Sequence, residues 1–591
     1  MKPRALTLAL AERPGGSRAR LRSRAPATSW LLLAALASAC SGGGAASPGS
    51  NPPGAGGSRG GAGGAGGASV GAGNGPGAGG SLGQGAGGSG AAAMGGSGGS
   101  GGAADPGGAP DANAGSDTAP DSGGGPAPAP DDPPLPPCKR SVTVTSSGEL
   151  GTALAAAAAG DCITLADGSY SFPPITAKGT EAAPIVISAA HLLKAVVATG
   201  NLTMQGAAHV VVQGISWTGN GLIRLTDTDH GRISRFRLQR MELASDLANH
   251  DLAWVTVFGA STSCRIDHSD FGPQGQPGNM ILTTGTEKTP VMATHTRIDH
   301  NYFHDVHFGG GNGWETIRSG ADSLSYGSSF TVIEHNLFKN DANDPEVVSL
   351  KSSDNTLRYN TLRASRGQFV LRSGNRDIVY GNYVFGDGVA GSLGIRVGGS
   401  GHKIFNNYIE GVGAPGIFLE GGDIDEPSGT LPVPCTTAQC DPRMRVTKTD
   451  VVFNTVVNAG GITLGGGGHA LDPADCNIAY NIVQGPGALY SKTSGSSNIT
   501  FTGNIGNMGT SGVATGVKIV DPMLMKVDDA FAIGAGSPAV NGGMPSFPYV
   551  TEDISGKRRS DPTPDIGANE ISEEPGKYKP LTEADVGPMA P

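Results

Sequence analysis

The sequence predicts an all-β protein: a right-handed parallel β-helix with an N-terminal capping helix, preceded by a disordered Gly-rich tether. Three observations predict it. A short motif recurs, in which alternating apolar residues lead to an Asn and then a further apolar residue. It reads RIDHNYF at 297–303, VIEHNLF at 332–338, TLRYNTL at 356–362, IVYGNYV at 378–384, IFNNYIE at 404–410, VVFNTVV at 451–457, IAYNIVQ at 478–484 and ITFTGNI at 499–505. Several successive spacings are 22 to 27 residues, a period that marks a solenoid. Helical periodicity is nearly absent after Ala159, so the repeating unit is a coil of short strands.

Each element follows from these patterns. Strands of a few residues lie in three sheets, and neighbouring turns stack at the strand spacing of about 4.8 Å. The asparagines Asn301, Asn336, Asn360, Asn382, Asn407, Asn454, Asn481 and Asn504 are expected at one corner. There each would adopt a left-handed backbone and hydrogen-bond the Asn one turn away. The Ala-rich stretch Leu150–Ala159 is the one helical segment. It is expected to cap the open end of the solenoid, where strand edges and core would otherwise be exposed.

Composition divides the chain into four parts. Residues 1–40 end in WLLLAALASAC after a run of arginines. A basic region, a short apolar core and small residues describe a secretion signal, and the run is too short to span a bilayer. Cys40 after Ala37-Ser38-Ala39 is lipobox-like, which predicts a lipid-anchored mature N-terminus at the cell envelope; a soluble secreted form is the alternative. Residues 41–137 are mostly Gly, Ala, Ser, Pro and Asp, with almost nothing apolar to bury, and read as a disordered tether. The β-helix domain is assigned to 138–575 and a tail to 576–591.

Charge narrows the partners. The whole chain carries −10; residues 1–40 contribute +6 and residues 41–137 contribute −5, which leaves −11 on the remainder. A body this acidic is not a general nucleic-acid binder. An anionic ligand would need positive charge concentrated in one groove. Cys138 with Cys162, and Cys435 with Cys440, are candidate disulfides in an exported protein, although spacing alone leaves connectivity open.

The chemistry lies in residues 344–375, DPEVVSLKSSDNTLRYNTLRASRGQFVLRSGN. Lys351 to Arg372 is 21 residues and Arg372 to Arg396 is 24, close to one turn each. They are expected to stack as a basic column, with Arg318 extending it. Asp344 and Glu346 are two apart and would share a strand face. With Asn312, one long turn earlier, they form an all-oxygen set suited to Ca²⁺. Glu315 and Arg318 are equally suited to a structural ion pair and to a substrate role. His304 and His307 form an HxxH pair without a third ligand and are read as incidental or subsite residues.

The stretch EVVSLKS…LRSGN resembles polysaccharide lyase family six, which includes alginate lyases and chondroitinase B. The resemblance extends through ITLADGSYSF (163–172), PIVISA (184–189), GNGWETIR (311–318) and GIRVGGSGHKIFNNYIEG (394–411). GSPAVNGG (536–543) and DIGANE (565–570) look like the last turns of many secreted β-helices. The resemblance implies that Lys351 is the base, Arg372 the catalytic arginine, and Asn312, Asp344 and Glu346 the calcium ligands. It implies substrate binding by Arg396, with Arg318 and Ser373 as further contacts. Two positions depart from the family pattern: Asp344 stands where Glu is common, and Ser373 where His is common.

The implied activity is calcium-assisted β-elimination in a 4-linked uronate polysaccharide, with alginate ahead of a dermatan-type glycan. The enzyme is expected to act as a monomer on this acidic polysaccharide, without nucleic acid, and to meet the membrane only through its lipid anchor. Three alternatives stay open. A C5-epimerase begins with the same proton abstraction but leaves polymer length unchanged. A surface glycan-binding solenoid would need no base. A pectate-lyase-like enzyme shares the architecture and the chemistry.

Overall fold

Alternating apolar residues coil the chain into three long parallel sheets. The computed structural model describes residues 134–239, 253–275, 278–286, 291–307, 314–342, 344–413, 415–426, 433–440, 442–560 and 562–591. The signal segment, nearly all of the tether and Asn312 lie outside the described residues. Among the described residues the sheets hold fourteen, fourteen and eleven strands. Thr356–Arg358, Thr361–Arg363 and Gln368–Leu371 show one turn, with one strand in each sheet. The fold is the expected right-handed parallel β-helix.

Register places like residues over like. Ile333, Leu357, Val379, Ile404, Val451 and Ile478 pair in succession across the first sheet, and all are fully buried. Each such side chain contributes roughly 1.5–3 kcal/mol by leaving water. A helix at Ser147–Ala155 covers the N-terminal end, with Leu150 and Leu154 buried. It begins earlier than the Ala-rich run because Ser146 caps it, accepting the Glu149 N–H at 3.3 Å.

All eight asparagines form one ladder. From Asn301 to Asn504 each Nδ2 donates to the Oδ1 of the next Asn at 3.0–3.1 Å. The backbone expectation needs correction: the left-handed residue is the one before each Asn. His300, His335, Tyr359, Asn406, Phe453 and Tyr480 have φ of 51–56°, and Gly381 and Gly503 fill the remaining two positions. The turn made there swings the following Asn side chain into the wall. A left-handed non-glycine residue costs about 1–2 kcal/mol. Stacked rings offset part of that cost: His300, His335 and Tyr359 lie 5.0 and 5.2 Å apart in succession.

Cys138–Cys162 and Cys435–Cys440 are disulfide-bonded, and Cys264 and Cys476 are buried thiols. The segments GSPAVNGG and DIGANE are not final turns. The last solenoid strand is Val517–Ile519, after which the chain folds back over the outer surface. Ala539 and Ile566 pack with Phe453 and Tyr480, and the Ala568 N–H donates to Thr455 Oγ1 at 2.9 Å. These segments are apolar enough to cover aromatic side chains on the outer wall, so they add a layer rather than another coil. The tail continues this layer: Tyr578 stacks on Tyr359 at 3.9 Å, and the Gly587 N–H donates to the His300 carbonyl at 2.8 Å.

Candidate active site

The third sheet carries the candidate site on its outer face. Ile317, Val348, Phe369, Ile395 and Ile417 pair in register and point into the core. The next residue of each strand faces out, giving the row Arg318, Ser349, Val370, Arg396 and Phe418. Lys351 pairs with Gly320 two residues further along, and Arg372 directly follows Leu371, the partner of Leu350. The basic residues therefore occupy two staggered rows, not a single column. Lys351 and Arg372 share one row; Arg318 and Arg396 share the other. The intervals of 21 and 24 residues hide a shift of two residues, because the connecting loops differ in length.

A β-bulge assembles the acids with the bases. Glu346 pairs with Gln368 and Val348 with Phe369, so Val347 is the extra residue. In a regular strand Glu346 would share the inward face of Val348. The bulge turns it outward, where Glu346 Oε2 accepts the Ser349 hydroxyl at 2.7 Å. Asp344 accepts the Glu346 N–H at 2.8 Å and the Trp314 N–H at 3.1 Å.

Charge is tightly shared. Glu346 Oε1 pairs with Arg396 Nη2 and lies 3.5 Å from Arg372 Nε. Burial alone would push the Glu346 carboxyl up, but Arg396, Arg372 and Lys351 outweigh it and hold it below the usual range. Asp344 has no such cations, and burial, then Glu315 and Glu346, push its carboxyl up to about 6. Lys351 Nζ lies 3.1 Å from Glu315 Oε1, and Asn279 Nδ2 holds the other Glu315 oxygen at 3.1 Å. Ser373 donates to Asp322 Oδ1 at 3.2 Å. Gly374, at φ 117°, is required beneath this row, because a Cβ there would sit 2.3 Å from the Ser352 carbonyl oxygen.

The structure thus gathers Lys351, Arg372, Arg396, Asp344 and Glu346 at one place, with Arg318 and Ser373 at its edges. His304 lies instead on the second sheet, between Asp270 and Asp305 at 2.8 Å each, and His307 is 3.8 Å from Asp305. Glu420, Arg443 and His469 were not singled out from the sequence. Glu420 Oε2 lies 3.8 Å from Arg396 Nε and 3.2 Å from Arg443 Nη1, and Glu420 Oε1 is 3.4 Å from His469 Nε2. The Leu419-Glu420 pair one turn after Arg396 was the available signal; Arg443 lies in an irregular segment with no period to reveal it.

Comparison with known proteins identifies the constellation. The chondroitinase B family model matches residues 144–414, which span Asp344, Glu346, Lys351, Arg372 and Arg396. The chain belongs to polysaccharide lyase family six. It is therefore a polysaccharide lyase, and the match ends before Glu420, Arg443 and His469. No curated protein matches the chain significantly. Among solved structures it is similar to a mannuronic-acid-specific family-six lyase from the human gut microbiota: 24% identity, 65% of this chain and 91% of that one, TM-score 0.55. It is similar to a mutant of the family-six alginate lyase AlyGC at 25% identity and TM-score 0.57, covering 67% of this chain but 55% of that one. A further family-six alginate lyase, in complex with a trisaccharide, shares 17% identity over 68% of this chain and 93% of that one, TM-score 0.53.

Two other groups bring His and Asp donor atoms close together: His209, Asp229 and His230, and His268, Asp299 and His300. In each the imidazoles stack face to face, at 4.5 and 4.7 Å with 16° and 5° between planes. Their in-plane lone pairs run parallel instead of converging on an ion. In this lyase they belong to the outer wall.

Proposed function

We infer that the enzyme cleaves alginate, a 4-linked uronate polymer, by β-elimination with calcium bound at Asp344 and Glu346. The observation that carries this reading is the convergence of Lys351, Arg372 and Arg396 on a buried carboxylate pair at the outer face of one sheet. Lys351 Nζ takes the C5 proton of the sugar. The C4–C5 double bond forms as the C4–O4 bond breaks, leaving an unsaturated uronate end and, after protonation of O4, a new chain end. An ammonium cannot accept a proton, so the pairing with Glu315 aims Nζ rather than activating it. Arg372 and Arg396 orient the sugar carboxylate and offset the charge that develops on it. Ser373 is a neutral donor beside Arg372, tied to Asp322.

The acidic residues fit a hard cation. Asp344 and Glu346 offer only oxygen, both are buried, and the raised Asp344 carboxyl reports mutual repulsion that a positive ion would relieve. Asn312 is assigned as a further ligand on the resemblance alone. Calcium, when bound, supplies positive charge to the substrate carboxylate. Export and lipid attachment at Cys40 rest on the signal-like residues 1–40, and a monomeric state rests on the resemblance.

Replacing Lys351 by Met should abolish the ultraviolet absorbance of unsaturated uronate while circular dichroism stays unchanged. An active Lys351→Met protein would sink the assignment. Dermatan sulfate is the second substrate to assay, because the matching family model is that of chondroitinase B.

A further inference from the structure

Between the strands Ile417–Leu419 and Asp450–Val452 the chain leaves the solenoid. The Cys435–Cys440 disulfide closes part of this excursion. The Cys435 N–H donates to the Ser323 carbonyl at 2.8 Å, and the Tyr326 hydroxyl donates to the Gln439 carbonyl at 2.9 Å. Tyr326, Cys435 and Met444 bury one another in a small apolar cluster. The excursion is thereby fixed against the same segment that carries Asp322, the partner of Ser373.

This placement brings Arg443 to the catalytic arginine. Arg372 and Arg443 line one depression together with Tyr326 and Ser373. On its other side Arg443 meets Glu420, which it shares with Arg396 and His469. Three guanidiniums, those of Arg372, Arg396 and Arg443, thus share two carboxylates, Glu346 and Glu420, on a chain of net charge −10. Burial, then Arg372, then Arg396 against the opposing pull of Glu420, push the Arg443 guanidinium down to about 10. A surplus cation in a partly buried place is stabilised by an incoming anion.

We propose that Arg443 is a second carboxylate anchor, which with Arg372 binds the carboxylate of the uronate next to the one cleaved. This rests on the lyase reading above and adds to it a subsite beyond the segment shared with the family. Glu420 holds Arg443 in place until the substrate arrives. A neutral sugar polymer offers nothing to this pocket, so the subsite selects for consecutive uronates.

The test uses the full chain with Arg443→Ala and Arg443→Lys, each also in the Lys351→Met background. Arg443→Ala should raise KM on alginate about tenfold to a hundredfold, the size of one charge-assisted hydrogen bond, with a much smaller change in kcat. Arg443→Lys should recover part of the loss. Calorimetry with a six-residue alginate oligomer should show the same loss of affinity on adding Arg443→Ala to Lys351→Met, and a shallower dependence on salt. Unchanged KM and unchanged oligomer affinity in a folded Arg443→Ala protein would overturn the proposal. So would a fall in kcat alone, which would mark a structural role. If the wild-type chain releases no unsaturated product, the lyase reading fails, yet the oligomer-binding comparison still decides whether Arg443 anchors a uronate.

Discussion

Replacing Asn382 by Ala removes one rung from the middle of the asparagine ladder. Its side chain is fully buried. Nδ2 donates to the Leu357 carbonyl at 2.9 Å, the Tyr380 carbonyl at 3.1 Å and Asn407 Oδ1 at 3.0 Å. Oδ1 accepts from the Asn360 N–H and from Asn360 Nδ2, both at 3.0 Å. Alanine retains none of these. Two neighbours keep other partners: Asn360 Nδ2 still reaches the Ile333 and Arg358 carbonyls, and Asn407 Oδ1 still accepts the residue 382 N–H. The Asn360 N–H loses its acceptor inside the wall, which costs about 1–3 kcal/mol, and the other lost bonds contribute about 1 kcal/mol each. A loss of roughly 3–5 kcal/mol follows from these terms and the space left behind. Urea unfolding followed by circular dichroism should show the midpoint falling with an unchanged slope. A loss below about 1 kcal/mol would refute the reasoning, because stacked strands alone would then hold the corner.

Two further outcomes are expected. Calcium should raise the thermal midpoint of the wild-type protein, by a stabilisation of about 2.7 kcal/mol at one hundred times its Kd. Glu346→Gln should show no rise at that concentration, and should start from a lower midpoint because Arg396 and Arg372 lose their carboxylate; a full calcium shift in the variant would remove Glu346 from the ligand set. His335 is pushed down to about 4 by burial first and then by His300, with Arg358 adding to this and Glu334 and Asp299 opposing it. Its folded-state value is depressed, so its contribution is present above the ordinary His value of about 6.5 and is lost as pH falls toward 4. That amounts to about 2 kcal/mol between pH 7 and pH 5. His335→Asn tolerates the left-handed backbone and should flatten this part of the urea-derived stability profile; an unaltered slope would assign the acid loss to another group.

Much of the fold was legible because a solenoid writes one structural rule many times. Eight asparagines at nearly constant spacing exposed the coil, and each occurrence made the next more certain. What lay outside the repeat was hidden. The fold-back of residues after Ile519 has no period, and its apolar residues match a surface that only the finished coil presents. The site residues Lys351, Arg372 and Arg396 were legible as types and roughly as neighbours. Their stagger was not, because spacing counts residues while register counts paired positions, and loops absorb the difference. Arg443 escaped for the same reason: it reaches the site through an excursion fixed by Cys435, Tyr326 and Met444, contacts far from Arg372 in sequence.

The Asp at position 344 bears on the same geometry. From the family pattern it is a departure, a carboxylate one methylene shorter than expected. In the structure it closes a turn, with Oδ1 accepting the N–H of Glu346 two residues on. Asp makes this local bond readily; the longer Glu side chain is less suited to it. The bond sits at the start of the bulge that rotates Glu346 outward. Glu346 is five residues before Lys351, an odd interval that a regular strand would place on opposite faces. The bulge is what brings the carboxylate and the base to one side, and Asp344 supports the bulge. The shorter residue therefore serves the position of Glu346 as well as any ligand role of its own. An Asp344→Glu substitution tests that division of labour: it restores the family residue as a ligand but removes the turn that aims its neighbour.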